Sequence, residues 1–431
     1  MVRHANSGTH SPSSPAPPYY VRGLALGIPA ILLGIQITGW LFFIPAIFDG
    51  HVDFRNFYSA GYMVRAGDAR SLYSYETEKV YQDRLISQES LALPFIHPAY
   101  ESLLFVPLSL LPFHAAYFAF LAVNLGLLAI CYRLLRAHMR NLGAVWHGLP
   151  AAMFLFLPIA GTLMKGQDSI LLLTLIAAAT LCLGERWEFS AGALLALGLF
   201  RFQIVIPIAV LFLIWRRWRF SAGFAVVAMG VVAASVGVAG LTQMELYAQS
   251  LLSLSGSGSA SDLARYGQPD WQMANLRGLI VGLAGSHLSS VWTRRLVLLV
   301  SGVVLLAVAW LTPGNKDGAE PMFIAITASA AVSYHFLFHD LSVVLIPIIF
   351  ALNHFVTSEA TGDAAGRLAS RTAAIMFVAP ITAAFVPSRF YLVALPLCAL
   401  LLVLIQRSRR ESTDDMFEAA TSVDHTLAGG A

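Results

Sequence analysis

Asp53 is the first residue whose type and position could support chemistry. It follows an apolar run by a few residues and opens the stretch "DFRNFYSAGYMVRAG", which has helical spacing. A carboxylate at this position has two interpretations. It can cap the helix by accepting backbone N–H bonds, or it can act as a general base that takes a proton from a hydroxyl group. The spacing by itself favours the cap.

Two basic residues lie at positions that predict membrane depth. Arg201 is flanked by "ALLALGLF" and "FQIVIPIAV", and Lys165 directly precedes "GQDS". Because an ionisable side chain inside a membrane is costly, it indicates a functional site by default. The alternatives are a structural ion pair or a side chain that reaches the membrane boundary. The pattern favours function for Arg201 and boundary placement for Lys165.

Histidines and carboxylates form a third group. Asp168 precedes an apolar run and is predicted to cap the helix that follows. His335 and His339 are four residues apart, which predicts one shared helical face, and Asp340 is adjacent. That spacing can bind a metal ion. A third ligand is not apparent in the sequence, so we expect no metal.

Composition defines the elements that must position these residues. Of the 431 residues, 57% are hydrophobic and 12% are charged, against about 25% charged residues in soluble proteins. Apolar runs of about 18 residues or more recur, the length of a membrane-spanning helix. The sequence predicts an all-α, polytopic membrane protein. Nucleic acid is not an expected partner, because no basic stripe carries interleaved aromatic residues.

Apolar length predicts about twelve transmembrane helices, at residues 23–48, 113–135, 146–164, 169–184, 190–200, 202–215, 220–241, 296–312, 321–338, 341–356, 372–387 and 391–406. Short basic connections such as "WRRWR" mark the cytoplasmic side. Residues 1–22 are expected to be a disordered cytoplasmic N-terminus, 23–406 the membrane domain and 407–431 a cytoplasmic tail. The extracytoplasmic side then receives two long loops, 49–112 and 242–295.

Two regions need special geometry. The run 190–215 is too short for two full spans, which predicts two short helices meeting near "LFRFQ" inside the protein, where irregular backbone is tolerated. One long span is the alternative. In the first long loop, the stretch after Asp53 predicts an amphipathic helix lying on or in the membrane interface, and "SLYSYETEKVYQDRL" predicts a second polar helix.

Four stretches carry a resemblance to a known family: "VDFRNFYSAGYMVRAGDARSLYSYE", "FIHPAYESLLFVPLSLLPF", "KGQDSILLLTLIAAA" and "AGALLALGLFRFQIVIPIAVLFLIWRRWRF". In this order, over residues 50–220, they resemble glycosyltransferase family 87, a GT-C group of polyprenyl-phosphate-mannose-dependent mannosyltransferases. A weaker similarity lies at "SYHFLFHDLSVVLIP". The resemblance implies a GT-C fold, an active site on the extracytoplasmic face and inversion at the sugar carbon.

The resemblance also implies a catalytic aspartate in the first extracytoplasmic loop. Asp53 matches that position, and Asp49 is the second candidate. The family often has Lys where this chain has Arg201, and either residue keeps a positive charge there. Neither a cofactor nor a metal ion is implied.

The predicted function is transfer of a hexose, with mannose as the expected sugar, from a polyprenyl phosphosugar to a lipid-linked or glycan acceptor. The predicted location is the bacterial plasma (inner) membrane, where the protein contacts membrane lipids. A transporter or lipid flippase is the alternative, although its polar site would lie at the membrane midplane. Donor or acceptor contacts are expected from Arg55, Tyr58, His97, Tyr100, Glu101, Lys165, Gln167, Asp168, Arg201, Gln203, His335, His339 and Asp340.

Overall fold

The computed structural model describes residues 19–136, 149–252, 265, 270–312, 318–353 and 364–410. These ranges contain helices and no strand, which confirms the predicted all-α class. The α-helices are α1 (Tyr19–Phe48), α2 (Phe54–Arg65), α3 (Tyr75–Leu85), α4 (Ala99–Phe105), α5 (Phe113–Leu135), α6 (Leu149–Leu155), α7 (Leu157–Lys165), α8 (Ser169–Gly184), α9 (Glu188–Leu197), α10 (Phe202–Ile214), α11 (Trp218–Ala239), α12 (Leu241–Leu252), α13 (Leu276–Ala284), α14 (Ser290–Leu311), α15 (Glu320–Val332), α16 (Leu345–Asn353), α17 (Ala364–Val378), α18 (Thr382–Phe385) and α19 (394–410). Shorter 3-10 segments are Ala69–Ser71, Leu108–Leu110, Gly198–Arg201, Asp270–Gln272, His339–Val344, Ala379–Ile381 and Pro387–Val393.

Seven helical segments in the described ranges are long and apolar enough to cross a membrane: Gly27–Phe48, Phe113–Leu135, Glu188–Ile214, Trp218–Ala239, Ser290–Leu311, Ala364–Phe385 and Pro387–Arg410. These segments make the chain an integral membrane protein, but they do not confirm the predicted number of about twelve. The shorter helix α15 lies in the centre of the fold, because every residue after Glu320 is buried. Such a helix satisfies its backbone internally and packs against protein on all sides.

Several predicted boundaries are wrong, and proline explains the clearest case. The described part of the predicted span 146–164 begins at residue 149 and forms two helices, α6 and α7, because Pro158 lacks the N–H that would bond to the carbonyl of Phe154. The buried Gln36 of α1 donates its amide N–H to that carbonyl at 2.7 Å. Helix α1 thus satisfies the polar group that the proline leaves free.

The predicted span 321–338 also ends early, at Val332. Residues 333–338 are irregular, so His335 and His339 do not share a helical face as the spacing predicted. This backbone is satisfied by side chains at the start of α13. The Asn275 amide donates to the carbonyl of Ser333, and Arg277 donates to that of Tyr334 at 2.9 Å.

The predicted change of helix geometry in residues 190–215 is present, although Glu188–Ile214 as a whole is one apolar segment long enough to cross a membrane. Helix α9 ends at Leu197, the chain makes a 3-10 turn at Gly198–Arg201, and α10 continues from Phe202. An ion pair between Glu188 and Arg217 holds the first turn of α9 to the start of α11. Arg201 therefore lies at the opposite end of α9 from this pair.

The first long loop, residues 49–112, differs from the interfacial helix that was predicted. Nearly all of α2 is buried, including Arg55 and Asn56 as well as its aromatic residues. Phe57 stacks on Phe105 of α4, with 4.7 Å between the ring centroids. The loop has its own aromatic core, and α2 is its centre rather than a surface element.

The chain termini fall partly outside the described residues. Residues 19–22, predicted to be disordered, belong to α1, whereas residues 1–18 are not described. The predicted tail begins within α19, and residues 411–431 lie outside the described ranges. Of the second long loop, 253–264 and 266–269 lie outside them as well.

Helices α9 and α11 approach closely at two glycines. A Cβ atom at Gly192 would lie 2.0 Å from the carbonyl oxygen of Phe220, and one at Gly223 would lie 2.0 Å from that of Phe189. Small residues permit such backbone contact between helices in a membrane. Because α9 ends at the 3-10 turn, this contact also fixes the position of Arg201.

Gly192→Ala is expected to lower the free energy of unfolding by about 1–3 kcal/mol, and the thermal midpoint with it, since the added methyl group overpacks the contact. The measurement is the thermal midpoint of the purified protein in detergent, followed by intrinsic fluorescence. Gly230→Ala on α11 is the matched control, because a Cβ there meets nothing within 4 Å. An unchanged midpoint in Gly192→Ala would contradict this account of the helix contact.

Candidate active site

A cavity of about 500 Å³ lies where the first loop meets the helices. Its polar lining joins residues that are far apart in the sequence: Asp53, Asn56, His97, Lys165, Gln167, Arg201, Arg265, Gln272, His335 and His339. Seven of these were predicted as site residues from the sequence. The fold thus brings half of the predicted side chains to one cavity.

Asp53 holds the N-cap position of α2, but its side chain makes no capping hydrogen bond. Its carboxylate instead accepts a hydrogen bond from the Gln167 amide at 2.8 Å, and the Lys165 ammonium lies 3.6 Å away. The side chain is 25% exposed. The capping interpretation, which the spacing favoured, is therefore wrong, and the carboxylate is free to face the cavity.

The turn after α7 brings Gln167 to Asp53. Gly166 ends α7 with φ +64, a left-handed conformation that is strained for a residue with a side chain. A Cβ atom at Gly166 would also lie 2.7 Å from the Cβ atom of Phe54. Tyr117 of α5 donates to the carbonyl of Met164 at 2.8 Å and anchors the same turn. A glycine is needed because the turn and α2 are in direct contact.

Arg201 joins this turn to the helix break. Its Nε donates to Asp168 Oδ1 at 2.9 Å, and its guanidinium also donates to Gln167. Asp340 Oδ1 lies 3.4 Å from Arg201 Nη1. Asp168 makes no capping hydrogen bond, contrary to the sequence-based prediction, because its carboxylate binds Arg201 instead. Two carboxylates therefore counter the charge of one buried guanidinium.

His97 and Glu101 of the first loop contact the same cluster. His97 Nδ1 lies 2.8 Å from Glu101 Oε2 and 3.7 Å from Asp168 Oδ2. Burial lowers the pKa of His97 to about 3, with the Asp168 carboxylate opposing that shift and the Arg201 guanidinium adding to it. Burial, followed by the neighbouring Asp168, raises the pKa of Glu101 well above its usual range. His97 is therefore neutral at pH 7.

Seven predicted residues lie outside the cavity lining. Glu101, Asp168 and Asp340 belong to the ion-pair cluster beside it, and the other four are Arg55, Tyr58, Tyr100 and Gln203. Arg55 holds the loop together, with its Nε donating to Gln82 at 2.9 Å and its Nη1 to Ser87 at 2.7 Å. The Tyr58 hydroxyl donates to the carbonyl of Leu111, and the Tyr100 hydroxyl donates to that of Leu197. Gln203 is half-buried on the first turn of α10.

Sequence reasoning missed several lining residues: Asn56, Arg265, Trp271 and Gln272. Asn56 lies on the buried helix α2, which was predicted to be interfacial. The other three belong to the second long loop. The polar and aromatic stretch "QPDWQ" was the available signal, but nothing in the sequence shows that this loop folds back over the first one.

The fold and the cavity first define a class: an integral membrane protein whose apolar helices and first loop enclose a cavity rich in ionisable side chains. The model of glycosyltransferase family 87 matches residues 95–338, more than half of the chain. The chain belongs to glycosyltransferase family 87 and is a membrane glycosyltransferase. This confirms the resemblance drawn from the motifs. No curated protein and no solved structure matches the chain.

Removing the Arg201 guanidinium is expected to destabilise the site, because it leaves buried carboxylates without a counter-charge. Arg201→Ala should cost about 3–5 kcal/mol. Arg201→Lys should recover only part of this loss, because an ammonium cannot reproduce the forked contacts of a guanidinium. Thermal unfolding of the purified variants measures both effects.

The matched control is Arg265→Ala. Arg265 also lines the cavity, but it pairs with Glu76, whose side chain is 74% exposed. Exposed pairs contribute at most about 1 kcal/mol, so this variant should unfold close to the parent. Equal stability of Arg201→Ala and Arg265→Ala would show that the buried network is not held by Arg201.

Proposed function

We propose that the protein transfers mannose from a polyprenyl phosphosugar to a hydroxyl of a lipid-linked or glycan acceptor, with inversion at the sugar carbon. The reaction takes place on the extracytoplasmic face of a bacterial plasma membrane. Family membership and the order of the four sequence motifs support the class of donor. The observation that carries the proposal is the Asp53 carboxylate, which faces the cavity instead of capping its helix.

Asp53 is the proposed general base. Its carboxylate takes the proton from the acceptor hydroxyl while that oxygen bonds to the sugar carbon and the polyprenyl phosphate leaves with its bonding electron pair. A single displacement of this kind inverts the configuration. Gln167 orients the carboxylate through its 2.8 Å hydrogen bond, and Arg201 fixes Gln167 in turn. A base must be held within hydrogen-bond reach of the proton that it takes.

The leaving phosphate needs donors elsewhere in the cavity. In a single displacement the base and the leaving group lie on opposite sides of the sugar carbon, so the groups that hold Asp53 are not the primary phosphate contacts. Arg201 is already countered by Asp168 and Asp340. The segment before α16 offers His335 and His339, and His335 is the more exposed of the two. We assign His335 as a donor to the phosphate.

The rest of the lining suits a lipid. Apolar side chains from α1, from the segment before α16 and from the region near α18 also line the cavity: Phe43, Leu337, Phe338, Ala383, Pro387 and Phe390. A polyprenyl chain can pack against such side chains. Many exposed apolar side chains on the neighbouring helices, among them Phe42 and Phe385, face the surroundings of the protein.

Asp53→Asn is expected to reduce turnover by about 10²–10⁴-fold, because an amide cannot accept the proton. The Asn oxygen can still accept the Gln167 hydrogen bond, so folding and donor binding should be kept. The measurement is transfer from radiolabelled polyprenyl-phosphate-mannose to a membrane lipid extract by the purified protein.

Asp49→Asn is the matched control for this substitution. Asp49 is exposed and does not line the cavity, so its variant should retain parental turnover. Full activity in Asp53→Asn with loss in Asp49→Asn would move the base to Asp49. Full activity in both variants would refute a carboxylate base in this loop.

His335→Gln is expected to lower kcat/KM for the donor by about 10²-fold, the scale of one lost electrostatic contact in a transition state. The KM for the acceptor should change little, because His335 is assigned to the phosphate. His287→Gln, at an exposed histidine outside the cavity, is the control in the same assay. Equal kinetics for both variants would remove His335 from the phosphate site.

A further inference from the structure

Three side chains beside the cavity point their ligand atoms at one another. His97 and Glu101 come from the first loop, and Asp168 comes from the turn before α8. One ligand atom from each lies within 4.8 Å of the other two. His97 Nδ1 lies 2.8 Å from Glu101 Oε2 and 3.7 Å from Asp168 Oδ2, and these separations are close to those between ligand atoms around a small cation. Ligands at about 2.0–2.2 Å from a metal lie about 2.8–3.6 Å apart.

The ligand atoms of this group are buried, and as ionised groups they have no hydrogen-bond donor. His97 Nδ1, Asp168 Oδ2 and both carboxylate oxygens of Glu101 make no aligned hydrogen bond, although the three residues are 5%, 1% and 0% exposed respectively. A side-chain hydrogen bond between Glu101 and Asp168 forms when Glu101 carries a proton. Buried polar atoms are almost always paired, so the cluster needs either that proton or a bound cation.

The charges of the cluster indicate a cation. Glu101, Asp168 and Asp340 are buried carboxyl groups, and Arg201 is the guanidinium that contacts two of them. Burial raises the pKa of Glu101, so a bound cation must displace its proton. With all three carboxyl groups ionised, the carboxylates exceed the guanidinium by two negative charges. Lys165 does not remove this excess, because it pairs with Asp53. Burying uncompensated charge is costly, and one divalent cation would neutralise it.

We propose that His97, Glu101 and Asp168 bind one divalent transition-metal ion, Zn²⁺ or Mn²⁺. One imidazole nitrogen with two carboxylates favours these ions over Mg²⁺ and Ca²⁺, which prefer oxygen ligands alone. Arg201 would orient the Asp168 ligand, since it binds the other carboxylate oxygen. Such outer contacts are typical of metal-binding carboxylates. The site departs from the sequence-based expectation of no metal.

The ion would fasten the first loop to the helices. His97 lies just before α4, and Glu101 lies within it. Helix α4 packs against α2, whereas Asp168 lies at the start of α8. Asp53 lies at the start of α2, and Gln167 directly precedes Asp168. Their hydrogen bond spans the same junction. The metal is a positioning element for that junction and takes no part in the transfer step.

Metal content of the purified full-length protein tests the site. The protein is stripped of metal with EDTA, reloaded with Zn²⁺ or Mn²⁺ and freed of excess ion. Its metal content is then measured by elemental mass spectrometry. We expect about one ion per chain and a higher thermal midpoint in the loaded form, because an ion bound to the folded state stabilises it. Mg²⁺ and Ca²⁺ should give neither effect.

Glu101→Gln should abolish stoichiometric binding and the metal-dependent shift of the midpoint. Glu89→Gln is the matched control, because it removes the carboxylate of an exposed histidine–glutamate pair, His51–Glu89. That variant should bind metal as the parent does. Stoichiometric binding in Glu101→Gln would overturn the site.

Absence of bound Zn²⁺ or Mn²⁺ in the parent protein after reloading would also overturn the site. A proton on Glu101, rather than a metal ion, would then account for the cluster. If Glu101→Gln does not fold, the zinc absorption edge of the parent decides. Direct coordination of the zinc by one imidazole and by oxygen atoms supports the site, and coordination without imidazole refutes it. None of these measurements uses sugar transfer, so their outcome is separate from that of the proposed function.

Discussion

The buried guanidinium of Arg201 is the interaction on which the site depends. It binds Asp168 and Gln167 from the turn before α8 and lies near Asp340 from the segment before α16. A charged side chain buried in a membrane protein needs an oppositely charged or polar partner next to it. The pairing therefore fixes three chain segments relative to one another, and through Gln167 it also fixes the carboxylate of Asp53.

Irregular backbone surrounds this guanidinium, and the protein satisfies it at each break. The α9–α10 junction is a 3-10 turn, α6 and α7 separate at a proline, and residues 333–338 are not helical. Gln36, Asn275 and Arg277 donate to carbonyl oxygens at the last two breaks. Helix ends can then present polar side chains to a cavity without leaving backbone groups unpaired in lipid.

The first long loop shows how helical pattern and packing differ in what they decide. Spacing after Asp53 predicted the helix correctly, and Phe54, Phe57 and Gly61 do face the aromatic core. The same pattern predicted an interfacial location, which is wrong. Helices α3 and α4 cover the remaining faces of α2, and Arg55 is satisfied by Gln82 and Ser87 within the loop.

The sequence by itself determined the helical class, the membrane location, the break near Arg201 and the family, because these follow from apolar length, charge placement and motif order. It also identified seven polar residues of the cavity lining. Only the tertiary structure decided that neither Asp53 nor Asp168 caps its helix, and that Asp168 binds Arg201. It alone placed Glu101 and His97 beside Asp168. These outcomes depend on contacts between segments distant in the sequence, which periodicity along one helix does not contain.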